Sequence, residues 1–101
     1  MSEYVIAYRG GVMPESPEEG ATQRAKFNAW LVSLGSAVVN PGTPLGSSQL
    51  VSQAGVAPAP ADRLIGFSII TADSMEAALE ITKRCPYLDI GTIEVGEVMS
   101  M

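Results

Sequence analysis

The sequence predicts an α+β fold: a four-stranded antiparallel sheet with two helices on one face. Three observations carry that reading. Two amphipathic helical stretches with start signals each stand between strand-like runs. The strand runs are short and rich in β-branched or aromatic residues. The order is strand, helix, strand, then a variable segment, then strand, helix, strand. At 101 residues the chain is expected to be one domain, 1–101.

"YVIAYR", Tyr4 to Arg9, reads as an interior strand, with Tyr4, Ile6 and Tyr8 on one face and Val5 and Ala7 on the other. "SPEEG" then opens a helix. Ser16 suits the N-cap, Pro17 the first helical position and Glu19 the capping box. Gly20 weakens that first turn, so regular helix is expected from near Ala21. Phe27, Trp30, Leu31 and Leu34 form one apolar stripe, and Gly35 is a C′ stop. "SAVVN" is a short strand closed by the turn residues of "PGTPLG". From Ser47 to Asp62 the chain is low in charge; "SSQLVSQ" alternates like a short strand, whereas the Gly and Pro of "AGVAPAPAD" predict loop.

"RLIGFSIITA" has Leu64, Ile65, Phe67, Ile69 and Ile70 on both faces, as a central strand requires. "DSMEAALEITKRCP" is the second helix, with Asp73 as cap, Glu76 as its partner, and Lys83 and Arg84 in the last turn. Met75, Ala78, Leu79 and Thr82, flanked by Ile81 and Cys85, are its expected buried face. "GTIEVGEVM" closes the chain as a strand with Ile93 and Val95 inward. This is the ferredoxin-like split βαβ order. Two helices cover one face of such a sheet, yet the strands are apolar on both, so a second copy of the chain is expected on the other face.

Composition excludes several functions. The formal net charge is −5, from 11 acidic and 6 basic side chains, and the scattered basic residues make no footprint for nucleic acid. No run of about 18 apolar residues predicts a membrane span. The start lacks the basic and apolar regions of a secretion signal, and the one cysteine fits a reducing compartment, so a cytoplasmic location is expected. There is no histidine, which removes the usual base near neutral pH and the commonest metal ligand. No metal and no cofactor are expected. Cys85 lies at a helix C-terminus, where the dipole opposes a thiolate, and it reads as a small buried hydrophobe.

Within "GFSIITADSMEAALEITKRCPYLDIGTIEV" the order and spacing of several residues resemble the YCII-related family, also called the DGPF-domain family. They are Gly66, Phe67 and Ile69; Ala72 and Asp73; Ala78 and Leu79; Cys85 and Pro86; and Gly91, Ile93, Glu94 and Val95. Upstream, Leu34 and Gly35 are similar to the family's Leu-Gly turn. The resemblance implies a dimeric α/β barrel, in which two such sheets pack face to face. It also implies, for some members, a His–Asp pair between helix and sheet, and for a related branch a lactone dehydrochlorination. This chain has no histidine for that pair and reads "PAPADRLIGF" where the DGPF box would stand, with Asp62 near the family's acidic loop position.

The polar residues placed to ring a pocket are Tyr8, Arg9, Arg24, Asp62 and Arg63. Arginine forks suit carboxylates, so a small anionic ligand is the expected partner besides a second copy of the chain. Asp73 is first a helix cap. Two functions remain: a small-ligand-binding or accessory protein with a cleft between helix and sheet of a homodimer, and a histidine-independent lyase or isomerase acting on a small anionic metabolite.

Overall fold

A computed structural model describes residues 1–12 and 14–99. Six strands and two helices follow one another as β1 (Ser2–Arg9), α1 (Pro17–Leu34), β2 (Val38–Asn40), β3 (Gln49–Ser52), β4 (Gly55–Pro58), β5 (Leu64–Ala72), α2 (Met75–Thr82) and β6 (Thr92–Glu97). Four strands form one antiparallel sheet in the order β2-β5-β1-β6, and β3 and β4 pair only with each other. The order and the all-antiparallel pairing are those of the ferredoxin-like split βαβ arrangement expected above.

One face of the sheet carries the core. Tyr4, Ile6, Tyr8, Ile70 and Ala72 are buried there against Trp30 of α1, Ala78 of α2, and Cys85 and Tyr87 beyond it. Phe27, Leu31 and Leu34 flank Trp30, half-buried, as the stripe predicts. The opposite face presents Val5, Ala7, Phe67 and Ile69, which are partly exposed and no part of that core.

Local chemistry explains where the elements depart from expectation. α1 starts at Pro17 and runs straight through Gly20. A Cβ there would stand 3.3 Å from Pro14 Cγ, so the preceding chain folds over the missing side chain. Ser16 accepts from the Glu19 amide as an N-cap should, but the Glu19 carboxylate accepts from the amide of Glu15, one residue earlier than in a capping box. α2 is capped by Ser74, whose hydroxyl accepts from the Ala77 amide, and not by Asp73. The helix ends at Thr82, leaving Lys83 as C-cap; tighter bonds from Arg84 N to Ile81 O and from Cys85 N to Thr82 O finish the turn before Pro86. Leu79 lies off the stripe through Met75, Ala78, Thr82 and Cys85 and is 41% exposed.

The segment predicted as loop holds a strand. β4 pairs with β3 from Ser52↔Gly55 to Gln49↔Pro58, so proline falls at the strand's end, where its missing N–H breaks no ladder. In β5 the register slips by one residue, because Tyr8 faces Gly66 while Arg9 faces Leu64. That bulge turns Ile65 toward the helix side, where it packs against the core. The outer apolar face is therefore Val5, Ala7, Phe67 and Ile69, without Ile65.

Candidate ligand-binding cleft

The N-terminal half of α1 stands off the sheet. Its inward stripe there is Gly20 and Gln23, a missing side chain and a polar one, in place of the Phe27–Trp30–Leu34 apolar run. The gap is an open cleft of about 1100 Å³ between α1, the Pro41–Pro44 connector after β2, the Tyr8 end of the sheet, and the turn Pro86–Asp89.

Aromatic rings form its floor. Tyr8 meets Phe27 edge-on at 5.2 Å and Tyr87 tilted at 5.3 Å, and Phe27 meets Trp30 at 5.8 Å. These separations are those of favourable ring pairs. Both phenols on this floor are already committed. Tyr8 Oη lies 2.9 Å from Ser68 Oγ, and Ser68 in turn donates to the Pro41 carbonyl at 2.8 Å, so the relay runs from Tyr8 through Ser68 to the connector. Tyr87 Oη donates to the carbonyls of Arg9 and Gly10 at 3.2 and 3.1 Å. Burial pushes the Tyr8 hydroxyl well above the usual phenol range, outweighing the lowering by its Ser68 bond. Burial also raises Tyr87, against a smaller lowering by the Arg63 charge. Both therefore stay protonated at neutral pH, with their protons already committed to these partners, and neither can act as a base.

The connector wall is held tightly. Asn40 Oδ1 accepts from the Gly42 amide at 2.8 Å, and the Leu45 amide donates to Ile65 O at 2.8 Å. Gly42 has φ 82°, and a Cβ on it would stand 1.5 Å from the Phe67 carbonyl oxygen. Only glycine lets the connector lie this close to β5.

The rim is charged. Arg24 and Lys26 face the cleft together with Glu15, Glu18, Glu19 and Asp89. Arg24 makes no ion pair among the described residues, while Glu19 is tied to the Glu15 amide.

The five residues selected from the sequence divide between two places. Tyr8 and Arg24 line the cleft. Arg9, Asp62 and Arg63 lie outside it, where Arg9 spans Asp62 Oδ2 at 3.0 Å and Glu94 Oε1 at 2.6 Å. Arg63 donates to Gly46 O at 3.0 Å and, with Arg9, borders a smaller depression of about 300 Å³ at the base of β3 and β4. Tyr87, Gln23 and the connector belong to the cleft and were not singled out by sequence. A polar, glycine-containing start to an otherwise apolar helix stripe was the available signal for them.

Among solved structures, this fold is shared with 5-chloro-2-hydroxyhydroquinone dehydrochlorinase from Burkholderia phenoliruptrix AC1100, determined in complex with 2,5-dihydroxybenzoquinone. The likeness has a TM-score of 0.62 at 19% identity and covers 98% of this chain and 95% of that one. No curated protein matches the chain. The sequence model of the YCII-related domain matches residues 5–101, nearly the whole length and all of the elements that build the cleft. The chain belongs to the YCII-related domain family.

Proposed function

We propose that the protein is a small-ligand-binding member of its family, a single domain working as a homodimer in the cytoplasm. Its cleft holds a small planar anion without turning it over. The observation that carries this reading is the aromatic floor whose two phenols are both protonated and internally bonded. Such a floor stacks a flat ring and offers it no proton acceptor. Arg24 supplies the one guanidinium beside it, suited to an acidic substituent. A lyase or isomerase would need a base at the floor; the cleft's carboxylates, Glu15, Glu18, Glu19 and Asp89, stand at its rim, and Asp62 is paired with Arg9 outside it. No helix among the described residues is long and apolar enough to cross a membrane, and the single thiol is buried and free, which suits a reducing compartment.

The hydroxyquinone bound by the structural neighbour is a suitable first probe, being flat and acidic. In isothermal titration calorimetry, 2,5-dihydroxybenzoquinone should bind one per chain. Arg24→Ala should weaken binding about tenfold, the scale of one charge-assisted hydrogen bond. Phe27→Ala should weaken it further. No heat from the wild type, or equal affinity in all three proteins, would contradict the assignment.

A further inference from the structure

The β3–β4 hairpin is an arm with nothing to rest on. Every residue of both strands is exposed, including Leu50 at 52%, Val51 at 74% and Val56 at 66%. A lone two-stranded hairpin is marginal in water, and natural edges of this kind are normally guarded by charge. This one has no guard, since no charged side chain occurs between Lys26 and Asp62. The arm also makes the chain unusually open. The radius of gyration is 14.6 Å, against about 13 Å for a compact domain of this length. The accessible surface is 6890 Å², against about 5,500 Å² for a compact monomer of this mass.

We infer that the arm is a dimerisation arm, and that its occupant is a second copy of this chain. The inference rests on the homodimer reading above and adds a part to it. Area supplies the argument. The accessible surface exceeds that of a compact monomer of this mass by about 1,400 Å². A standard interface buries about 800 Å² per partner. The excess is larger than one side of such an interface, and the arm, exposed at every residue and free of charge, is the part of it that stands clear of the core. At four residues per strand it extends about 13 Å from its base, far enough to lap the edge of a facing sheet. The arm leaves the sheet beside Leu64, itself 42% exposed and opposite Arg9, and Leu50 of β3 lines one depression with both, so the arm adjoins the outer face at that corner.

Sedimentation equilibrium on three proteins tests this. Val51→Lys with Val56→Glu places opposite charges on a directly paired position, which keeps the hairpin while ending its apolar contact. This arm variant should dimerise at least tenfold more weakly than wild type and yield a folded monomer of 10.6 kDa. Val5→Lys, at the centre of the outer face, tests sheet pairing separately. An arm variant within twofold of wild type, beside a dissociated Val5→Lys, would overturn the arm and leave the sheet dimer standing. A dissociated arm variant beside an intact Val5→Lys would keep the arm and overturn sheet pairing. A wild type that stays monomeric at all concentrations would overturn both. Hydrogen exchange gives a second reading: arm amides should be protected above the dissociation constant and open below it, and open amides at both would count against the arm.

Discussion

Cys85 is 3% exposed in the core beside Tyr8 and Tyr87. Burial pushes its thiol from 9.0 up to about 11. It should resist thiol reagents at neutral pH, and Cys85→Ala should cost about 1–2 kcal/mol in denaturant unfolding, as for loss of a small buried group. The raised value also fixes a pH dependence. The unfolded thiol ionises above about pH 9, whereas the folded one keeps its proton to about 11. Its contribution is thus complete below pH 9 and lost as pH rises between the two. The wild-type melting temperature should fall over that range, more steeply than that of Cys85→Ala; equal slopes would show that the thiol is not the group responsible. Gly42 is the sharper steric case. Gly42→Ala meets both a positive φ and the Phe67 carbonyl, and should destabilise by more than ~2 kcal/mol. A melting temperature equal to wild type would mean that the connector does not lie on β5. The thiol's role was legible in the sequence from a missing histidine and a following proline. Gly42 was legible only as a turn residue, because the close approach it permits involves a strand 25 residues further on.

At the scale of elements, alternation in β1 and β6 and the stripe of α1 were legible because each sets a buried face. In β5 the bulge that moves Ile65 to the helix side breaks the alternation expected of that strand. The cap of α2 was not legible. In "ADSMEA" both Asp73 and Ser74 can cap, and the geometry selects the one whose side chain reaches the Ala77 amide. Ser74→Ala should therefore lower stability by about 1 kcal/mol, while Asp73→Ala should stay within about 0.5 kcal/mol. Urea titrations of both variants check this, and a larger loss for Asp73→Ala would return the cap to that residue. β4 escaped notice because its Gly and Pro are poor strand formers. They are tolerated at the two ends of a four-residue strand, where pairing asks least of them.

At the scale of the molecule, the two-sided apolar pattern of β1 and β5 is the ground in the sequence for expecting a second copy. The cleft was only half legible, since Tyr8 and Arg24 both line it but the choice of Arg9, Asp62 and Arg63 depended on strand ends that lead to another surface. If assembly buries the outer face and the arm, folding and dimerisation are one process. The melting midpoint should then rise with protein concentration, and a midpoint unchanged over a hundredfold range would contradict an obligate dimer. The central claim is that the cleft between α1 and the sheet holds a small ligand. Native mass spectrometry of the protein isolated gently from its own cells tests it most directly. An occupied cleft gives a wild-type species carrying an added small mass, released on denaturation and absent from Phe27→Ala. Bare chains of the calculated mass from the wild type and the variant alike would contradict it.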